Sequence, residues 1–228
     1  MSVSTYAKIA EAAYSPEPPL TIGDYHLLPY RSTNRIKVYS NNARELVFSI
    51  RGTQITDVND IIADLHVFNN NLTSSQMFSE VKAHLETFLA EKILRDIVIV
   101  GHSLGGSLAI ELLNTFPDLI KSVYVFNPGY GYKKLIAEMK DKLSCLANDS
   151  SRKCIELKTV QKKLHIYITG SDPISTLARF NRNVHNIKPT SGNVHSISNF
   201  TNIGGTFYSQ QLSLVPAHQM IADIRASA

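Results

Sequence analysis

Apolar residues recur at two spacings along this chain, and the two alternate. Tyr6, Ile9, Ala10, Ala13 and Tyr14 fall on one face of a 3.6-residue turn, which predicts an opening helix. Ser15-Pro16-Glu17-Pro18-Pro19 ends it, since proline lacks the N–H that a helix uses and disfavours helical geometry in the residue before it. Arg35 to Tyr39 alternates polar and apolar residues, as a half-buried strand does; Glu45 to Ile50 is a more apolar strand running into Arg51-Gly52-Thr53. Phe78, Val81, Leu85, Phe88 and Leu89 predict a long helix between Ser74 and Leu94. Asp96 to Val100 is short, β-branched and continuously apolar after its first residue, the pattern of a strand covered on both faces. Helical spacing returns from Ser103 to Phe116, and Ser122–Phe126, Leu164–Thr169 and Val184–Ile187 read as further strands. Strands alternating with helices imply βαβ units, hence a mainly parallel central sheet with helices on both faces. With no internal repeat or long linker, residues 1–228 read as one α/β domain.

Composition narrows the class. At 43% apolar and 18% charged residues the chain is neither disordered nor fibrous. No apolar run approaches the roughly 20 residues of a membrane helix, and the first twenty residues lack the basic-then-apolar pattern of a secretory signal, so a soluble chain is expected. Two cysteines, Cys145 and Cys154, are too few for a disulfide framework and match no common zinc spacing; they read as two free thiols, with a loop-closing bridge as the alternative. No metal or other cofactor is expected. The formal charge of +4 is concentrated: from Lys133 to Lys163 nine basic residues face four acidic ones, a surplus of +5, which leaves −1 for the remainder. This segment reads as a basic insertion, either a solvated face or a contact for an anionic membrane. The basic residues are interleaved with acids and no binding motif accompanies them, so nucleic acid is not an expected partner.

The chemistry concentrates at Gly101-His102-Ser103-Leu104-Gly105, a G-x-S-x-G pattern with a strand before it and a helix after it. That context is what a nucleophile elbow requires: a sharp turn that holds the serine in strained geometry, with glycines where side chains would collide with strand and helix. Ser103 is the candidate nucleophile. A serine hydroxyl needs a base, itself oriented by a carboxylate, and in this arrangement the order along the chain is serine, acid, histidine. Asp172 follows the strand Leu164–Thr169 directly and is the candidate acid; Asp118, Asp141 and Asp149 read as surface residues. Of the eight histidines, His26, His66, His84 and His102 precede the serine, His165 precedes the acid, and His185 lies inside a strand pattern. His195, in the loop after the last strand, is the favoured base, and His218, near the C-terminus, is the alternative. The oxyanion hole would draw one backbone N–H from Leu104 and one from Thr53 in the turn after Glu45–Ile50.

Three blocks in order, Ile50-Arg51-Gly52-Thr53, Asp60-Ile61-Ile62-Ala63-Asp64-Leu65 and Val100-Gly101-His102-Ser103-Leu104-Gly105-Gly106, resemble the class 3 (fungal-type) lipase family of α/β hydrolases. Ile61 stands where that family usually has tryptophan. The resemblance spans about residues 35–200 and implies the α/β-hydrolase fold, a triad of Ser103, Asp172 and a histidine, an oxyanion hole at Thr53 and Leu104, and a lid at roughly Gln54 to Phe68. Within that lid Asp57, Asp60 and Asp64 would be capping or hinge-pairing groups. His195-Ser196-Ile197-Ser198-Asn199-Phe200 resembles the run around the base in some members, while others place the histidine near the C-terminus. The chain departs from the secreted fungal enzymes in lacking their disulfide set and in carrying the basic segment. The expected activity is cofactor-independent hydrolysis of carboxylic esters, with lipid acyl esters implied by the family. A catalytically inactive lipid- or protein-binding module, and an esterase or thioesterase for small soluble substrates, are the competing readings.

Overall fold

The computed structural model describes residues 2–53, 72–91, 96–129, 141, 144–145, 151–170, 172–175, 178 and 183–203. The elements run α1 (Val3–Ala12), β1 (Thr21–Ile22), β2 (Tyr25–Leu27), β3 (Ile36–Ser40), β4 (Glu45–Ile50), α2 (Gln76–Ala90), β5 (Asp96–His102), α3 (Leu104–Thr115), β6 (Ile120–Phe126), α4 (Arg152–Lys163), β7 (Leu164–Thr169), β8 (Val184–Ile187) and α5 (Ser198–Thr201). The strands form one 8-stranded sheet in the order of the chain. β1 to β4 pair antiparallel and β4 to β8 pair parallel.

This order dictates where the helices go. Each parallel connection steps one strand in the same direction, and crossovers are right-handed, so α2, α3 and α4 must land on the same face. They do. Phe78, Val81, Leu85 and Phe88 of α2 and Leu104, Leu108, Leu112 and Leu113 of α3 share a core with Phe48, Ile99, Val123 and Ile166; Val160 of α4 packs on it. The opposite face carries α1 and α5, where Tyr6, Ile9, Ala10 and Phe200 meet Tyr39, Val47, Val98, Val100, Phe126 and Tyr167. The central strands β4 and β5 are therefore covered on both sides, and every residue but Asp96 is buried. This is the mainly parallel α/β sheet with helices on both faces that the pattern predicts, and it agrees with the α/β-hydrolase fold that the resemblance implies.

The structure adds elements that periodicity missed. β1 and β2 make a hairpin on the edge of the sheet, too short to show alternation. α4 buries only Cys154, so it has almost no apolar stripe to read. Residues 152–163 of the basic segment are thus the crossover helix from β6 to β7. Cys145 and Cys154 are joined in a disulfide with their Cα atoms 5.4 Å apart, which corrects the reading of two free thiols. A nine-residue spacing permits either state; the turn that Ser151 starts, by capping the Cys154 N–H, decides it by bringing the first turn of α4 beside Cys145. The expected lid at 54–68, the alternative base His218, Asp149, and Lys133, Lys134, Lys140 and Lys142 lie outside the described residues.

Far from the carboxyl edge, buried Glu45 ties three elements together. It accepts from the Tyr6 hydroxyl of α1 (2.9 Å) and the Tyr25 hydroxyl of β2 (2.5 Å), with Lys121 of β6 at 3.4 Å. Among the described residues no helix is long and apolar enough to cross a membrane.

Candidate active site

β4 to β8 end at a common carboxyl edge, as the pairings Ile50–Gly101, His102–Phe126 and Thr169–Ile187 require. The sequence-predicted groups follow those strand ends: Thr53 after β4, Ser103 and Leu104 after β5, Asp172 after β7 and His195 after β8. Ligands of open α/β sheets bind at this edge, because the turns there leave backbone groups unpaired.

Ser103 starts α3 in a way that sets it apart from the serines starting other helices. Ser2, Ser75 and Ser151 sit in extended geometry, and each side chain accepts a backbone N–H of its helix. Ser103 has φ 55 and ψ −128 and makes no capping bond. That backbone costs roughly 1–3 kcal/mol for a residue with a side chain. It turns Oγ away from the helix, leaving the first N–H groups of α3 for another acceptor. The flanking glycines permit the turn. A Cβ on Gly101 would stand 2.4 Å from the Gly105 carbonyl oxygen, and one on Gly105 would stand 2.1 Å from the Ile50 oxygen and 2.9 Å from the Gly52 nitrogen. The Gly52-Thr53 turn and the start of α3 are thus packed backbone to backbone, which brings the neighbourhoods of Thr53 and Leu104 together.

Asp172 is held by a local turn. Its carboxylate accepts from the Ile174 N–H (3.2 Å), the Ser175 N–H (3.2 Å) and the Ser175 hydroxyl (2.6 Å), and His195 Nδ1 lies 3.0 Å away. Burial pushes this carboxyl up, but the bonds from His195, Ser175 and Ile174 outweigh it and hold the group below its usual value. Asp172 is therefore ionised and acceptor-only, so His195 Nδ1 carries a hydrogen and donates it to the carboxylate. Among the described residues both Nε2 of His195 and Oγ of Ser103 are buried without a hydrogen-bond partner. An unpaired buried polar atom costs roughly 1–3 kcal/mol, so two on residues that follow strand ends at one sheet edge call for a functional account.

The loop that carries His195 is organised by side chains that the sequence reading did not single out. Asn199 of α5 is buried; its carbonyl oxygen accepts the N–H groups of Thr190 and Ser191 (both 2.9 Å), and its amide donates to Asn193 (2.9 Å), Val194 (3.3 Å) and Ser196 (3.1 Å). Asn127, at φ 40 after β6, donates to the Val194 carbonyl (3.0 Å) and accepts the Thr169 N–H (2.9 Å). His102 binds the next carbonyl, that of His195, through Nε2 at 2.7 Å. Chain order set His102 aside as a base, and its burial is consistent with that: burial, then the neighbouring His195, drops its pKa to about 3. One available signal was local, since an aspartate with a serine three residues on is a common turn former. The others are long-range and left no pattern.

The remaining candidates lie elsewhere. Asp118 is exposed, Asp141 pairs with Lys153 at 2.5 Å, and His165 and His185 stack on Tyr124 and Tyr167 at 4.6 and 4.7 Å. Among the described residues no cluster of three or more His, Cys, Asp or Glu side chains could hold a metal ion.

Comparison with known proteins accords with this fold. Residues 27–116, which run from the end of β2 past α3 and include both the Thr53 turn and Ser103, match the family Lipase (class 3). The structure resembles that of the Lip2 lipase from Yarrowia lipolytica with a TM-score of 0.53 and 14% identity, over 82% of this chain and 78% of that one. At that identity the likeness is one of fold. No curated protein sequence matches the chain.

Proposed function

We propose that this chain, whose residues 27–116 match the class 3 lipase family, is a carboxylic ester hydrolase that cleaves lipid acyl esters through a triad of Ser103, His195 and Asp172. The observation that carries the reading is the pair of orphaned buried atoms, Ser103 Oγ and His195 Nε2, behind which Asp172 holds the imidazole through Nδ1 at 3.0 Å. Each could supply what the other lacks, since a hydroxyl has a proton to give and a neutral imidazole has a nitrogen to take it. In resting hydrolases this contact is often long and tightens only with substrate bound.

The steps follow from those groups. His195 Nε2 takes the Ser103 proton as Oγ attacks the acyl carbonyl. Negative charge grows on the carbonyl oxygen, toward which the Leu104 and Thr53 N–H groups would point. The imidazolium, stabilised by ionised Asp172, returns the proton to the departing alcohol. Water, deprotonated in turn by His195, then releases the acid from the acyl-enzyme. His195 is preferred over His218 as the base because of its bond to Asp172.

The lipid preference rests on the family. A membrane contact through the basic segment would draw on its exposed cations, among them Lys162. Lys163, at the end of α4 farthest from the site, is engaged by the Pro117 and Ile120 carbonyls, and Arg152 and Lys153 are paired with Glu156 and Asp141.

Hydrolysis of p-nitrophenyl butyrate and palmitate by the wild type, Ser103→Ala, His195→Ala and His218→Ala tests the assignment, with fluorophosphonate labelling in parallel. Turnover and labelling should vanish with Ser103→Ala. Hydrolysis should collapse with His195→Ala and survive in His218→Ala. Labelling of a folded Ser103→Ala protein would overturn the nucleophile, and a wild type inert to both esters and probe would favour a binding module. Preference for butyrate over palmitate would favour the small-ester reading.

A further inference from the structure

The residue between Gly101 and Ser103 is a histidine with both ring nitrogens engaged, and neither contact belongs to the triad. Nε2 of His102 lies 2.7 Å from the carbonyl oxygen of His195. Nδ1 lies 2.9 Å from the hydroxyl of Tyr14, just beyond the end of α1. That hydroxyl is in turn 3.1 Å from the backbone nitrogen of Gly52, the residue before Thr53.

The direction of every proton in this chain can be worked out. A carbonyl oxygen only accepts, so His102 Nε2 carries the hydrogen. The ring is neutral, because burial and the adjacent His195 ring, 4.8 Å away between centroids, oppose a second proton. Nδ1 is therefore bare and accepts from Tyr14. Burial likewise raises the tyrosine pKa, so its hydroxyl stays protonated and has that proton to give. Its oxygen then accepts the Gly52 N–H. The same hydroxyl lies 3.3 Å from the carbonyl oxygen of His102, a longer second contact. The result is one continuous relay, Gly52 N–H to Tyr14 O–H to His102 Nδ1, and His102 Nε2–H to the His195 carbonyl. Gly52 has to be glycine for it, since a Cβ there would stand 2.7 Å from the Tyr14 oxygen and 2.6 Å from the His102 carbonyl oxygen.

We propose that Tyr14 and His102 are positioning residues of this hydrolase, a partly buried relay that fixes the oxyanion turn and the base loop relative to each other. One end holds the peptide leading into Thr53; the other holds the main chain of the base itself. Both are loops, and the site needs their separation set to within a fraction of an ångström. Hydrogen bonds in series polarise one another, so the relay acts as a unit and not as three separate contacts. It also gives α1, the most remote element in sequence, a role at the catalytic edge. The inference rests on the triad reading, and its test is chosen so that the two fail separately.

The test is steady-state hydrolysis of p-nitrophenyl butyrate by the wild type, Tyr14→Phe, His102→Leu, the double variant and His102→Gln, with far-UV circular dichroism on each. Tyr14→Phe removes one oxygen and leaves the packing. We expect kcat to fall roughly 10- to 100-fold, the scale of a displacement of about an ångström, with KM changed less than about threefold. Because the two residues share one relay, the double variant should be no slower than the worse single variant. His102→Gln, which keeps a donor and an acceptor, should recover at least about tenfold over His102→Leu. If His102→Leu does not fold, Tyr14→Phe and His102→Gln still decide. A Tyr14→Phe enzyme within twofold of the wild type, or effects that multiply in the double variant, would overturn the relay. An inactive wild type would overturn the triad reading instead.

Discussion

Gly105→Ala sets two well-defined effects against each other. In the first turn of α3 alanine is the better helix former, by about 1 kcal/mol. Against this, the added Cβ would lie 2.1 Å from the Ile50 carbonyl oxygen and 2.9 Å from the Ile50 carbonyl carbon and the Gly52 nitrogen. That is about an ångström or more short of ordinary contact. Nothing nearby can yield cheaply. Ile50 ends a strand bonded on both sides, to Ile36 of β3 and Gly101 of β5, and both faces of that strand are packed. Overpacking of this kind costs about 3 kcal/mol, so the net loss is about 2 kcal/mol. With a urea dependence of about 2 kcal/mol per molar, the midpoint should fall by about 1 M. The chain has no tryptophan, so far-UV circular dichroism is the readout. If α3 shifts to relieve the clash, it carries the Leu104 N–H with it, and ester hydrolysis should drop about 100-fold. Gly192→Ala is the control: nothing lies within 4 Å of its Cβ, and stability should stay within about 0.5 kcal/mol. A Gly105→Ala protein with wild-type midpoint and rate would refute the claim that backbone contact between the two turns dictates this glycine.

Three other outcomes follow from the site and its surroundings. Asp172→Asn keeps the size of the group but leaves His195 Nδ1 without its ionised acceptor; kcat should fall about 10⁴-fold in a folded protein, and a loss under tenfold would remove Asp172 from the triad. Stability should decline in acid. His102, His165 and His185 all have lowered pKa values through burial, so the unfolded chain binds more protons as pH falls below about 6.5; for His102, at about 3, the penalty between pH 7.5 and 5.5 is about 1 kcal/mol, and urea melts showing equal or greater stability at pH 5.5 would contradict it. Reduction of the Cys145–Cys154 bridge, which closes a loop of separation 9, should lower stability by up to about 2.5 kcal/mol on chain-entropy grounds; an unmoved midpoint in reductant would mean the loop is ordered without it.

Much of the architecture is local in origin and could be read before any coordinates. The alternation of apolar periods marks β3 through β8 and three of the helices to within a few residues, because burial on a sheet or helix face constrains residues close in sequence. Gly101 and Gly105 around Ser103 carry the elbow for the same reason: the turn is made by the residues that name it. The Asp172–His195 pairing could be anticipated because Asp172 follows a strand directly and His195 follows the last one. What the pattern could not carry was set by contacts between distant segments. Cys145 and Cys154 pair because α4 turns one toward the other. α4 itself hides because it buries little. Asn199 and Asn127 look like ordinary loop residues until the chain wraps around them. His102, which chain order excluded as a base, touches the His195 main chain 93 positions away, and Tyr14 reaches it across 88. The sequence by itself determined which side chains have chemistry to offer and which strand ends present them. The tertiary structure decided which of them are held in register, because hydrogen bonds between remote loops leave no period along the chain.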